Sequence, residues 1–245
     1  MNDGDGYFDE PVAADYDDPS DEMNSDAVVG ATVDFLVERA GAGRALEFAI
    51  GTGRIAVPLA RRGVRVSGID LSKSMVARLR EKAGAEDIDV TIGDFATTRV
   101  EGSFSIVYLV YNTIGNLTTQ EAQVACFRNA AAHLQPGGCF VIEVGIPDLQ
   151  RLPPGETLVV FDAGESHWGI DEYDVARQGL VSHHFDLVDG RYERRSMPFR
   201  YVWPAELDLM AQLAGMTLRE RWGEWNGEPF AGDSRKHVSV WEKPA

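Results

Sequence analysis

The segment Glu47-Phe48-Ala49-Ile50-Gly51-Thr52-Gly53-Arg54 has the clearest chemical capability in the chain. It reads as the end of a buried strand, a glycine turn and the start of a helix. Glycines let a ligand come close to the backbone, and a helix N-terminus presents free N–H groups with partial positive charge. One strand later, Ile69-Asp70 ends in a carboxylate placed to accept both hydroxyls of a ribose. A third apolar run ends in Gly93-Asp94-Phe95, which offers another carboxylate and an aromatic face. Singly, these are an ordinary turn, a helix cap and a turn residue. At the ends of three successive strands they describe a nucleoside site, because open parallel sheets bind ligands at that edge.

The nucleoside decides the chemistry. Gly51-x-Gly53-x-x-Ala56 followed by Asp70 also satisfies the dinucleotide fingerprint of an NAD-dependent oxidoreductase. Three features count against it. More than forty residues precede the turn, whereas that fingerprint usually opens a domain. Glu47, four positions before Gly51, would face an ammonium or sulfonium well and a pyrophosphate poorly. The chain also ends in a helix, a strand and a strand, with no second mononucleotide-binding half. A catalytically silent nucleoside-binding module is the other alternative.

The elements that must hold these residues follow from periodicity. From residue 44, apolar runs alternate with amphipathic stretches, the pattern of a parallel sheet covered on both faces. Strands are expected at Arg44–Ile50, Val64–Ile69, Ile88–Ile92, Phe104–Val110 and Cys139–Val144. Helices are expected at Gly53–Arg62, at Ser72–Lys82 with Ser72 as N-cap, and at Thr118–Leu134 with a Thr118-x-x-Glu121 capping box. Pro136-Gly137-Gly138 turns the chain into the fifth strand. Beyond Val144 the rhythm becomes strictly alternating, and Asp189-Gly190 between Leu180–Leu187 and Tyr192–Val202 predicts a hairpin in an antiparallel insert. A helix over Pro204–Ala214 and strands near Met216–Trp222 and His237–Glu242 close the chain.

With these residues in place, the sequence resembles the class I S-adenosylmethionine-dependent methyltransferases of the small-molecule, natural-product type. Glu47 to Gly53 is similar to that family's first motif, Asp70 to its ribose-binding acid, Gly93-Asp94-Phe95 to its adenine-contacting turn, and Leu134-Gln135-Pro136-Gly137-Gly138 to the segment before strand five. Ala49 departs from the pattern, standing where many members have a first glycine. The resemblance implies an α/β, Rossmann-like doubly wound seven-stranded sheet with its last strand antiparallel, plus the antiparallel β insert after strand five. It implies an acidic arm and lid helices over residues 1–43, a cofactor-binding core over 44–150, an acceptor-capping insert over 151–203, and a C-terminal completion of the sheet over 204–245. It implies S-adenosyl-L-methionine as cofactor, held by Glu47, Ala49, Gly51, Gly53, Asp70, Asp94, Phe95 and Leu109, with Leu71 and Met75 flanking the adenine. It also implies an N-terminal lid in which Tyr16-Asp17 closes over the methionine carboxylate, with Tyr7 as a second candidate.

Methyl transfer from a sulfonium is an in-line displacement, so alignment is the protein's main task, and a base helps where the acceptor carries a proton. The loop after strand four lies at the active edge and offers Tyr111 and Asn112. The insert offers His167, Trp168, Glu172, Tyr173, His183 and Arg200 as acceptor contacts, with His167, Tyr111 and His183 as candidate bases. Adjacent strand residues point to opposite faces, so at most one of His183 and His184 faces the pocket. The similarity of the insert to that of small bacterial enzymes methylating amines of deoxyaminosugars implies an N or O nucleophile on a small polar molecule. Trp203, Trp222, Trp225 and Trp241 would suit a cationic or ring-shaped acceptor, and core packing explains them more cheaply.

Composition sets outer bounds. Ten Asp/Glu and no Lys or Arg fall within residues 1–26, and they account for all but −6 of the net charge of −16. The start of that run reads as a solvated tail at residues 1–6, and Tyr7, Phe8 and Tyr16 make the rest an arm that docks. So acidic a surface argues against nucleic acid and anionic membranes as partners. The longest apolar run, Ile106 to Tyr111, falls far short of the roughly 20 residues of a bilayer span, and the acidic start lacks a basic signal region, so a cytosolic protein is expected. Cys126 and Cys139 form no CxxC, and the five histidines show no HxxxH or HExxH spacing, so buried thiols and no metal site are expected.

Overall fold

The computed structural model describes residues 7–18 and 21–245, and the expected solvated tail at residues 1–6 lies outside them. The arm folds as a short helix α1 (Glu10–Asp15), followed by α2 (Asp26–Ala40), which Ser25 caps by accepting from Val28 N. Strands β1 (Arg44–Phe48), β2 (Arg65–Asp70), β3 (Asp89–Ile92), β4 (Phe104–Leu109) and β5 (Leu134–Gly145) alternate with helices α3 (Ala56–Arg61), α4 (Lys73–Arg80) and α5 (Gln120–His133). Four antiparallel strands follow, β6 (Leu158–Ala163), β7 (His167–Asp174), β8 (Gly179–Val188) and β9 (Arg191–Arg200), and then α6 (Pro204–Leu213), β10 (Thr217–Trp222) and β11 (Lys236–Glu242).

The seven-stranded sheet has the order β10-β11-β5-β4-β1-β2-β3. Only β11 runs against its neighbours β5 and β10, as expected for the last strand. Strand order reverses between β1 and β4, which opens a crevice at the C-terminal ends of the strands. Alternation splits the strand side chains between two cores. Ala45, Val66, Ile106, Tyr108 and Val141 pack on the side of α2 and α3. Leu46, Phe48, Ile69, Val107, Phe140 and Trp241 pack on the side of α5 and α6. Trp241 lies edge-on to Phe127 at 5.2 Å, and Trp225 to Phe35 at 5.2 Å, so these two tryptophans serve the core and not an acceptor.

Several boundaries differ from expectation, among them β5, which already begins at Leu134 and takes in Pro136-Gly137-Gly138. Strand β1 ends at Phe48 because Ala49 adopts φ +52°, and α3 starts only at Ala56 because Gly51 and Gly53 continue the turn at φ +56° and +75°. The cap of α5 is Thr119, whose side chain accepts from Ala122 N at 3.1 Å, so the Thr118–Glu121 box does not form. Thr119, extended at φ −128°, is the last non-helical residue, which is the position where a side-chain oxygen can reach the free N–H groups.

The insert is a separate four-stranded sheet, β6-β7-β8-β9. Its hairpin turns through Asp189 (φ +50°) and Gly190 (φ +77°), the left-handed pair that a two-residue connection requires. The end of β9 is bolted to the body. The guanidinium of Arg200 donates to Gln123 of α5, to Gln178 at 3.2 Å and to Glu206 of α6 at 2.7 Å, all inside the fold.

Candidate active site

The crevice between β1 and β4 deepens into a cavity of about 340 Å³. Its walls include Ala49, Gly51, Asp70, Leu71, Met75, Asp94 and Phe95, seven of the expected cofactor contacts. The carboxylate of Asp70 is fixed by two backbone donors, Gly51 N at 2.6 Å and Ser72 N at 2.8 Å. Each carboxylate oxygen accepts more than one hydrogen bond, so the group stays competent for a ribose. Asp94 accepts from Ala96 N at 2.8 Å, and it and Phe95 line the cavity at the end of β3. Gly51 sits at φ +56°, where a side chain is strained, and a Cβ there would approach Cε of Met75 to 3.2 Å. Leu71 is 59% exposed at the mouth, and an adenine ring would cover it.

Other expected contacts sit elsewhere. Gly53 packs the turn against α4, where a Cβ would meet Leu79 at 2.9 Å. Leu109 is fully buried in the α5/α6 core, on the strand position that alternation turns away from the crevice. Glu47 is enclosed beneath the glycine turn and receives the Tyr108 hydroxyl at 2.9 Å. Burial pushes its carboxyl up to about 8, against the opposing pull of Tyr108 and the Arg54 cation.

The arm forms the roof. Tyr7, Phe8 and Tyr16 line the cavity, with Phe8 edge-on to Tyr7 at 5.5 Å and to Tyr16 at 6.1 Å. Asp17 fastens the arm and is not among the residues lining the cavity. It accepts from the Thr52 hydroxyl at 2.7 Å and pairs with Lys82 at 2.7 Å. Ser72 donates to Phe8 O at 2.6 Å, and Glu10 pairs with Arg78. Burial pushes the Tyr16 phenol up to about 12, so it remains a proton donor. Arg54, which sequence patterns did not single out, donates to Met23 O at 2.8 Å and lies over the Tyr111 ring at 5.5 Å. That puts a cation beside the glycine turn.

At the end of β4, Tyr111 (φ +56°) and Asn112 (φ +60°) are two successive left-handed residues. Buried Glu143, also missed from sequence, holds this turn by accepting from Tyr111 N at 3.0 Å, while Asn112 accepts from Gly145 N. Lys236 at 3.0 Å balances the Glu143 charge. Strain held in place by surrounding structure is common where ligands bind.

A second cavity, about 260 Å³, lies beyond that turn under the insert. Asn112, Asp171, Tyr173, Ser182, Phe199 and Arg200 are among its walls. Strand register separates the insert's faces. Tyr173, Leu180 and Phe199 align across the sheet, as do Asp171, Ser182 and Met197, then Gly169, His184 and Arg195. This is the inner face, because Met197 lines the first cavity and its neighbours line the second. His167 belongs to it and is hydrogen-bonded to His184 at 3.1 Å. His183 and Trp168 belong to the outer face. His183 bonds to Ser196 at 2.8 Å and Glu172 at 3.2 Å, and Trp168 is 44% exposed. Of the adjacent histidines it is therefore His184, not His183, that faces inward. The guanidinium of Arg200 is already committed to Gln123, Gln178 and Glu206. Cys126 and Cys139 are buried free thiols, and no cluster of metal-ligating side chains occurs among the described residues. No helix among those residues is long and apolar enough to cross a membrane.

Residues 45–138 match the methyltransferase domain family. The chain is 28% identical over 201 residues to the cypemycin N-terminal methyltransferase of a Streptomyces species, covering 81% of this chain and 82% of that protein. It is 31% identical over 206 residues to a putative methyltransferase of Bacillus subtilis, covering 79% and 81%. Among solved structures, the CcbJ methyltransferase of Streptomyces caelestis superposes over 100% of both chains with a TM-score of 0.87 and 33% identity. A sheet that reverses order at a glycine turn, a ribose-type carboxylate at the next strand end and these likenesses converge: the chain belongs to the S-adenosylmethionine-dependent methyltransferases, and S-adenosyl-L-methionine is its cofactor.

Proposed function

We propose that this enzyme methylates an amine nitrogen of a small polar molecule seated in the second cavity, with its nucleophile turned toward the first. The observation that carries this reading is the cross-strand pair Ser182 and Met197, which gives one residue to each cavity. Reactants held on either side of that pair would meet over it. The cofactor supplies an electrophilic methyl carbon on a sulfonium. The chain's residues supply position, which contributes up to about 7–11 kcal/mol of barrier lowering in well-aligned reactions.

In this reading Asp70 holds the ribose, Asp94 and Phe95 hold the adenine between Leu71 and Met75, and Arg54 with the Tyr16 hydroxyl faces the methionine carboxylate. Tyr7, Phe8 and Tyr16 exclude water overhead. Tyr173 and Phe199 give the acceptor site aromatic walls, and Asp171 gives it a carboxylate that favours a cationic or hydrogen-donating amine. The cypemycin enzyme, by its name, acts on an N-terminus, which is such an amine.

The test is S-adenosylhomocysteine release from S-adenosylmethionine across aminosugars, peptides with free N-termini, and the hydroxyl counterpart of each. Turnover is expected in the amine series. Release confined to the hydroxyl compounds would refute the amine assignment.

A further inference from the structure

Five polar groups on the insert's inner face run outward from the second cavity in a line. Asp171, in the cavity wall, is the cross-strand neighbour of Ser182, whose side chain holds its carboxyl down against burial. The hydroxyl of Ser182 lies 3.4 Å from Nε2 of His184. Nδ1 of His184 is 3.1 Å from Nε2 of His167, and Nδ1 of His167 is 2.6 Å from Oδ2 of Asp162. Asp162 is half exposed at the rim of the insert. Phe161 covers the middle of the chain, edge-on to His184 at 5.4 Å over the space Gly169 leaves open.

The far end dictates where every proton sits. The His167 hydrogen bond keeps Asp162 below the usual carboxylate range, so it is an anion that only accepts. In the neutral ring, a proton on Nδ1 of His167 leaves Nε2 to accept from Nδ1–H of His184. Nε2 of His184 in turn can only accept, and the donor within reach is Ser182. The bonds from His184 to Asp162 therefore point outward, and the hydroxyl of Ser182 chooses between Asp171 and His184 according to the charge on Asp171.

We infer that Asp171, Ser182, His184, His167 and Asp162 form a proton-exit path that clears the acceptor amine during methylation. The inference rests on the amine reading above. As the amine lone pair forms the N–C bond, the C–S pair returns to sulfur and the product nitrogen carries one proton too many. That proton passes to the Asp171 carboxylate. Ser182 then accepts from Asp171 and donates to His184, His184 donates to His167, His167 donates to Asp162, and water takes the proton at the rim. Burial raises Asp171 above an ordinary carboxylate and lowers His184 below an ordinary imidazole, so one can take the proton and the other does not retain it. The titratable and charged groups around His184 are His167, Arg195 and Asp186 on its own face, with His183 beside it on the opposite face. Arg195 is paired with Asp186 at 2.8 Å and feels Tyr7 and Asp15 of the arm.

Two readouts test the path. Long-range proton–nitrogen correlation spectra of the full chain need no acceptor. They should show His167 and His184 both as Nδ1–H tautomers, and Asp162→Ala should turn His184, a ring it does not touch, into a tautomer mixture. A His184 spectrum unchanged by Asp162→Ala overturns the path whatever the acceptor is. With any amine that turns over, Asp162→Ala should lower kcat about tenfold near pH 7. The deficit should shrink toward pH 9, with KM and cofactor affinity unchanged. A parallel, pH-independent loss overturns the path and leaves the amine reading standing. Absence of turnover with every amine counts against that reading, and the spectra still judge the path.

Discussion

The two halves of the site are built by different means. The cofactor half, at the ends of β1, β2 and β3, is made mostly of backbone. Turns at Gly51 and Gly93 and two N–H donors to Asp70 set its shape, and two apolar cores lie beneath it. The half proposed for the acceptor is made of side chains projecting from one face of a four-stranded sheet, whose other face is also polar and half-buried in places. Backbone geometry permits few sequences, whereas a pocket of side chains tolerates many. A scaffold of this kind can keep one cofactor and change acceptors by altering the insert.

The largest test of this contrast is mechanical. If the insert is rigid because Arg200 ties it to α5 and α6, Arg200→Ala should cost about 3–5 kcal/mol, the range for breaking a buried ion pair. Urea unfolding measures it. A loss under 1 kcal/mol would show the insert to be an independent flap. Next in size, Asp70→Ala should weaken S-adenosylmethionine binding about 100-fold by calorimetry, since it removes a charged acceptor and releases the Gly51 turn. Asp171→Ala should leave that affinity within about twofold. Equal losses in the two variants would erase the division between the halves.

The same contrast explains what the sequence revealed. Glu47 to Gly53, Asp70 and Gly93-Asp94-Phe95 were legible because glycine turns at strand ends have few uses, and the sheet was legible because both of its faces are buried. The insert's strands could be read from alternation and its hairpin from Asp189-Gly190, but its inner face could not. Choosing His184 over His183 needs the register that pairs Ser182 with Met197. Arg200 was visible as a charged residue, while its partners Gln123 and Glu206 lie in helices whose docking no local pattern encodes. Glu143 and Arg54 were missed because single charges at the end of an apolar strand or after a turn carry no periodic signal. The Tyr16-Asp17 pair was found, yet only packing shows that Asp17 grips Thr52 and Lys82.

A third prediction concerns Glu47, the charge beneath the backbone half. Its folded-state value of about 8 lies above the ordinary 4.5. A carboxyl raised on folding favours the folded state fully below the unfolded value, and that contribution is lost as pH rises through the folded one. Between pH 4.5 and 8, Glu47 should therefore make stability fall with a slope of up to about 1.4 kcal/mol per pH unit. Glu47→Gln, which keeps an acceptor for Tyr108, should flatten that slope. Parallel pH–stability curves for the two proteins would show that Glu47 is ionised in the free enzyme.

The smallest effect tests whether the backbone half stores strain. Ala49 occupies the left-handed region at φ +52°, where a Cβ costs roughly 1–2 kcal/mol per residue. Ala49→Gly removes that cost but gives the unfolded chain more freedom, worth roughly 0.4–1 kcal/mol in the other direction. The difference leaves a net gain of about 0.5 kcal/mol, a rise of one to two degrees in Tm at roughly 2–4 °C per kcal/mol for a chain of this size. Gly51→Ala has the opposite sign on both counts, since it adds a Cβ at φ +56° and brings it to 3.2 Å from Met75. A melting temperature that drops in both variants would mean the methyl of Ala49 packs well enough to outweigh its strain. The turn would then be held by contacts as well as by backbone, and the line between the two halves of the site would move into the glycine turn itself.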